Sequence, residues 1–397
     1  MATETDLARL RGGGRGWTLL AIALGWVFIL GGRFLVPAVL PQVKATFGIT
    51  DFAAGVAVTL LWGGYAVMQS PAGLLIDRVG ERRLLAGSLA ATAAGVGLLG
   101  IAPAFFAFLA GCAAFGVATG FYGPARGTTL SRTFPDNDRS AIGATLAAGS
   151  VGSAALPFLA GALVGDVGWR LVVGGLALPL GLASLLTWWA VPARERRTAA
   201  DRPSARRLLA DALLAMRLRP VALTSVAMTL MLFVFQGLTA FYVTFLVTER
   251  GFTQPTAAAL FALLFVGAAV AQIGGGAAAD RIGERPVLVV TALAGVPLVA
   301  VVPLVDGPLV GGVVSLLLGT RLAVAPVTNA YIIDTLPDDV TGTAWGTLRT
   351  GFFLLAATGS TVVGAMADAG LFAEAFYLLA VVTAVAVGLY LLLPAAD

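Results

Sequence analysis

Twelve long apolar runs, each close to the length that crosses a bilayer, leave this chain few folds to choose from. They fall at about residues 17–40, 52–75, 83–102, 104–131, 140–165, 170–191, 220–247, 255–278, 286–305, 308–333, 342–366 and 373–393. A hydrocarbon core about 30 Å thick needs about 20 apolar residues in helix. Lipid offers no hydrogen bonds to a backbone, so each run must satisfy its own amides, and helix is the economical way to do so. Composition agrees: 58% of residues are hydrophobic and 12% charged, where soluble domains carry about 25% charged. The expected fold class is therefore an all-α membrane protein with twelve transmembrane helices.

The basic residues fix an expected orientation. With the N-terminus cytoplasmic, Arg9, Arg11, Arg15, Arg78, Arg82, Arg83, Arg132, Arg139, the eight arginines from Arg194 to Arg219, Arg281 and Arg285 share one side. Lys44, Arg170 and Arg250 occupy the other. This is a strong positive-inside bias, and an eleven-span count would scramble it. Both termini are expected in the cytoplasm, and the first run, which follows Arg9, Arg11 and Arg15, is read as a retained helix and not a cleaved signal. The organisation expected is an N-terminal six-helix half over 1–193, a cytoplasmic linker over 194–219 and a C-terminal six-helix half over 220–397. The linker reads as solvated, with Ser204 to Met216 fitting an amphipathic helix on the membrane surface.

The chain also repeats itself. Asp77-Arg-Val-Gly-Glu-Arg82 returns as Asp280-Arg-Ile-Gly-Glu-Arg285, and Gly48 and Thr50 return as Gly251 and Thr253, all at an offset of 203. Pro124, Pro135 and Asp166-Val-Gly168 return at an offset of 202 as Pro326, Pro337 and Asp368-Ala-Gly370. A repeat of this period in a membrane chain implies two pseudo-symmetric halves around a shared central site.

The stretch from Gly73 to Arg83, with Asp77, Arg78, Gly80 and Arg82, resembles the signature loop between helices 2 and 3 of the major facilitator superfamily. Gly276 to Arg285, with Asp280, Arg281 and Gly283, is similar to its second-half copy, and Tyr65, Gln69, Pro71 and Gly168-Trp169-Arg170 also match the family's pattern. The resemblance covers nearly the whole chain. It implies a secondary transporter working by alternating access in the inner membrane, a monomer, with the paired loops acting as a conformational latch. In physical terms Asp77 and Asp280 sit at helix ends, where a carboxylate meets a helix N-terminus or an arginine. Two positions depart from drug/proton antiporters of the family. Cys112 stands where many members carry an arginine four residues before a glycine, here Gly116, and Gly149, Gly152, Pro157 and Gly161 are spaced differently from the helix-5 pattern.

Away from the ends of the runs lie four charged residues, and all are arginines: Arg33, Arg126, Arg321 and Arg349. Each costs about 2.5–3.5 kcal/mol at a bilayer centre on insertion scales, a cost met where the residue faces a watery cavity and has a task there. No Asp or Glu lies near mid-depth to neutralise them. Arg33 corresponds through the repeat to Gln236, and the resemblance implies that helices 1 and 7 face each other across the cavity. A planar guanidinium binds carboxylate and phosphate bidentately. The expected substrate is therefore a small organic or inorganic anion, bound by Arg33 and Arg321, with Gln236, Tyr65, Gln69, Asn329 and Arg126 as further site residues. Arg33, eight residues before Pro41, also resembles helix 1 of the family's organic-anion symporters, although Gly32 stands where those place an acid. The structural alternatives are that Arg349 pairs with Asp334 or Asp339 and that Arg126 reaches to the cytoplasmic surface. Two other functions fit the same fold: an exporter of apolar or amphipathic compounds, and a receptor that does not transport.

Several classes of chemistry find no support. There is no histidine and a single cysteine, Cys112, so a multi-cysteine metal site and an intramolecular disulfide are excluded. No phosphate-cradling loop of the nucleotide-binding kind is present. No cofactor, no enzyme activity and no nucleic-acid partner are expected. The expected partners are the lipid bilayer and a small-molecule substrate.

Overall fold

The computed structural model describes residues 15–193, 205–337 and 341–394, and the regular structure among them is helical throughout. The helices are α1 (Arg15–Ala38), α2 (Leu40–Phe47), α3 (Asp51–Val79), α4 (Glu81–Gly100), α5 (Phe105–Gly120), α6 (Tyr122–Thr133), α7 (Asp138–Gly175) and α8 (Ala177–Ala190). They continue as α9 (Ala205–Ala215), α10 (Arg219–Thr248), α11 (Gln254–Ile282), α12 (Glu284–Ala300), α13 (Pro308–Gly319), α14 (Val324–Thr335), α15 (Thr341–Asp368) and α16 (Phe372–Leu391).

Eleven helical segments among the described residues are long and apolar enough to cross a membrane, and one of them, Asp138–Ala190, runs for 53 residues. At 1.5 Å per residue that is about 80 Å of helix, more than twice a hydrocarbon core of about 30 Å. The helix does not run straight. Gly168 has φ 78° and ψ 154° inside it, a left-handed setting that glycine adopts without a Cβ clash. The chain turns there and the segment supplies the fifth and sixth spans, which brings the count to twelve. The tenth span is broken differently: α13 and α14 are joined by one 3₁₀ segment, Thr320–Ala323.

The repeat read from the sequence is present in the backbone. Gly48, Gly80 and Gly168 have φ of 61°, 86° and 78°, and their counterparts Gly251, Gly283 and Gly370 have 68°, 84° and 76°. Packing repeats as well. A Cβ on Gly116 would strike the carbonyl of Leu61, and one on Gly319 would strike that of Leu264. Likewise Gly64 abuts Ala113 and Gly267 abuts Leu316. Each of these packing residues is displaced by 203 from its counterpart, and Gly370 by 202 from Gly168. Close backbone approach at small residues is how helices associate where lipid is as apolar as leucine.

The chain falls into two compact units, Met1–Gln42 with Leu60–Asp201, and Val43–Thr59 with Arg202–Asp397. In the first, α1 packs along α7, and α4 along α5 and α8. In the second, α10 packs along α15 and α16, α11 along α13, and α12 along α16. The divide between units falls in the 194–219 stretch, but α3 begins in the second unit and continues in the first. The reason lies in contacts of its first turns. The Asp368 carboxylate accepts from the backbone N–H of Asp51 at 2.7 Å and of Phe52 at 2.8 Å, so the last residue of α15 caps α3. Lys44 pairs with Asp51. Two turns on, Thr59 donates to the Ala357 carbonyl at 2.7 Å and lies 2.8 Å from the Thr361 hydroxyl.

Candidate substrate site

Arg33 is the largest fully buried side chain among the described residues, 1% exposed. It stands on α1 inside a box of aromatic rings. Its guanidinium carbon lies 3.8 Å from the Tyr65 ring centroid, 5.3 Å from that of Trp62 and 5.7 Å from that of Trp26. One nitrogen donates to the Thr119 carbonyl at 3.5 Å. Trp26 and Arg33 lie two helical turns apart on α1 and so share a face, while Trp62, Tyr65 and Gln69 form an i, i+3, i+7 stripe on α3. A cation over a π-face gains electrostatically, the more so when desolvated. These rings therefore hold the guanidinium where water does not.

Arg126 joins the same group from α6. Its guanidinium carbon lies 4.6 Å from the Trp26 centroid, and it donates to the Thr145 hydroxyl of α7 at 2.7 Å. One indole thus has two guanidiniums within cation–π distance. Trp26 is fixed by stacking on Tyr122, with centroids 6.2 Å apart and planes 7° apart, and the Tyr122 hydroxyl donates to the Ile22 carbonyl at 2.9 Å. Among the described residues, the Trp26 indole N–H and the Gln69 amide nitrogen are buried and have no hydrogen-bond acceptor. This cluster in the first unit therefore gathers two cations beside two buried donors, Trp26 Nε1 and Gln69 Nε2, that have no acceptor among the described residues.

In the second unit, Gln236 on α10 is fully buried, and neither its amide nitrogen nor its amide oxygen has a hydrogen-bond partner among the described residues. A buried amide left unpaired costs about 1–3 kcal/mol. Asn329 is partly exposed on α14, beside Thr328, whose hydroxyl lies 3.1 Å from that of Tyr390.

Arg321 has its own surroundings within the second unit. It is 3% exposed, donates to the Thr383 hydroxyl of α16 at 3.4 Å, and lies against Gly295 of α12, where a Cβ would come within 2.9 Å of its Nε. Its guanidinium is thus taken up in the seam of α12, α16 and the 3₁₀ segment. Arg349 lies 5.8 Å from the Phe353 centroid. The ion pairs among the described residues, Lys44–Asp51, Arg132–Glu81 and Arg207–Asp211, do not include it. Asp339 lies outside the described residues.

The paired signature loops are built alike. Gly80 and Gly283 precede α4 and α12 with nearly equal backbone angles, φ 86° and 84°. Arg82 lies 4.3 Å from the Trp188 centroid, and Arg285 donates to the Leu391 carbonyl at 2.8 Å. Trp188 and Leu391 are themselves a repeat pair, so each arginine reaches the final turn of the sixth helix of its half, where a cation suits the helix dipole. Arg78, Asp280 and Arg281 are exposed. The side chain of Asp77 lies outside the described residues.

Sequence reasoning passed over Trp26, Trp62 and Thr145. The first two were detectable. Trp26 precedes Arg33 by seven residues and Trp62 precedes Tyr65 by three, both helical spacings. Thr145 carries no such signal.

Twelve helical spans in two repeated sets, with polar groups held inside the membrane part, define a polytopic transport protein. The chain belongs to the major facilitator superfamily: the family's sequence profile matches residues 22–346. Among solved structures it is similar to a bacterial homolog of the human lysosomal transporter Spinster in an inward-facing and unoccupied conformation. That likeness has 16% identity and a TM-score of 0.80, over 96% of this chain and 97% of that one. It is similar also to the nucleoside transporter NupG, at 14% identity and a TM-score of 0.76, over 96% of this chain and 100% of that one. At such identities the likeness is one of fold. No curated protein matches the sequence.

Proposed function

We propose that this transporter carries a small anion by alternating access, and that Arg33 and Arg126 with Trp26, Tyr65 and Gln69 form the anion-binding part of the site. The observation that carries this reading is the pair of guanidiniums gathered on one indole in the first unit. Gln236, the repeat counterpart of Arg33, is the buried amide with no hydrogen-bond partner in the second unit. Arg321 is assigned a packing role. Alternating access is supported by family membership and by the inward-facing conformation in which the Spinster homolog was solved. The sequence's charge asymmetry supports cytoplasmic termini in the plasma membrane, and a monomer is the family default. Uniport, anion exchange and co-transport of a protonated substrate are all compatible with the site.

A second reading rests on the aromatic walls. Trp62, Tyr65 and Phe34 pack on one another, with Phe34 and Trp62 centroids 5.5 Å apart. If the arginine serves only to order these rings, the same surface suits apolar or amphipathic compounds for export.

The deciding experiment is thermal stability of the purified protein with benzoate, succinate, phosphate, nitrate, a tetraalkylammonium and a lipophilic dye, in the native sequence and in Arg33→Gln and Arg126→Gln. Stabilisation by one anion class, lost in both variants, supports the first reading. Shifts produced by the dye and retained in both variants support export. Ligand shifts without flux in proteoliposomes would identify a receptor.

A further inference from the structure

Between the sixth and seventh spans, α9 is a docked helix with a divided surface. Ala212 and Ala215 are buried at 7% and 3%. They belong to one cluster with Val221 and Met228 of α10, Ile332 of α14 and Leu348 of α15. The helix is thereby fixed to the ends of three span-forming helices. The opposite side carries Leu209, Leu213 and Leu214, exposed at 59%, 67% and 54%. Interspersed with them, Arg206 and Arg207 are exposed, as are Arg217 and Arg219 just beyond. The one acid of the helix, Asp211, is turned inward and lies 4.0 Å from Arg207.

Leucines at i and i+4 facing outward on a helix outside the spans would be unfavourable in water. Arginines among them would be unfavourable in hydrocarbon. Both are suited to the boundary between the two, where leucines enter the acyl region and arginines meet headgroups. Arg219 opens α10, so α9 lies at the level where a span leaves the bilayer. By span count it is on the same side as the basic Asp77–Arg83 and Asp280–Arg285 loops. Four exposed arginines against one inward-turned acid select a negative headgroup.

We propose that α9 and the arginines beside it form a binding surface for anionic lipid headgroups on the basic side of the membrane. This does not rest on the anion-transport reading, and its test uses no transported substrate. The full-length protein is titrated in neutral detergent with phosphatidylglycerol or phosphatidylcholine, and bound lipid is counted by native mass spectrometry. The comparison is with Arg206, Arg207, Arg217 and Arg219 all changed to Gln, with the same four changed to Lys, and with the exposed Arg15, Arg83 and Arg139 changed to Gln as a loss of charge elsewhere. A surface arginine near anionic lipid favours binding by about fivefold. Preference for phosphatidylglycerol should therefore fall by well over tenfold in the first variant and persist in the other two. Equal binding of the two lipids by the native protein would overturn the proposal. So would preference retained in the first variant, or lost equally in the control. Displacement of phosphatidylglycerol by millimolar inorganic phosphate would also overturn it, by naming a soluble anion as the ligand.

Discussion

At the scale of single residues, the arginines of the spans divide by what surrounds them. Arg33 has three rings and a carbonyl; Arg321 has a glycine surface and one hydroxyl. Their cost to the fold was legible in the sequence, because a charge inside a span is expensive whatever its neighbours. Which neighbours each would find was not, since the side of a helix that a residue faces depends on packing partners far along the chain. If Arg321 is a packing residue, Arg321→Met keeps the anion-induced stabilisation and leaves the melting temperature unchanged or higher, because the thioether fills the seam without a desolvated charge. Gly295→Ala places a Cβ 2.9 Å from Arg321 Nε and should destabilise by about 1–3 kcal/mol. Combining it with Arg321→Met should recover most of that loss. Thermal unfolding of the two single variants and the double variant gives the coupling. Loss of anion response in Arg321→Met alone would return this residue to the binding site.

At the scale of elements, the repeat was legible almost in full. Its glycines had to recur wherever a turn needs positive φ or two backbones meet, and such positions tolerate little else. Gly116→Ala and Gly319→Ala should therefore lower stability by similar amounts, about 2 kcal/mol each, because the corresponding helix pair of each half is forced apart. A large difference between the two melting shifts would mean that the halves differ more in packing than their backbones do. Less legible were the 3₁₀ segment Thr320–Ala323 inside a run of uniform apolar character, and the cap that Asp368 places on α3. The sequence marks Asp368 only as the counterpart of Asp166; the residues it caps lie more than three hundred positions away. Asp368→Asn keeps one carbonyl acceptor and loses the charge at a helix N-terminus. We expect a loss of about 1 kcal/mol, with Asp368→Ala losing more, read from melting temperatures at low ionic strength.

At the scale of the whole molecule, the distribution of ionisable groups limits how transport can be coupled. There is no histidine, and the aspartates and glutamates of the spans sit at helix ends or beside the Gly168 turn, not at mid-depth. The groups left inside are arginine, tyrosine and one cysteine, whose ordinary titration ranges lie above neutrality. A proton-coupled mechanism of the usual kind needs a carboxylate or imidazole that exchanges its proton near the substrate. The proposed site, two guanidiniums among aromatic rings, includes neither. On that proposal, a proton that accompanies transport travels on the substrate. Flux of a permanently ionised sulfonate in proteoliposomes should then vary by less than about twofold between pH 5.5 and 8. Flux of the matching carboxylate should follow the carboxylate's own ionisation, because ionisation creates the anion that Arg33 and Arg126 would bind. A sulfonate flux with a titration midpoint inside that window would contradict the argument. It would require a protein carboxylate near the path, and the span-end residues Asp280 and Asp334 would be the first to replace with asparagine.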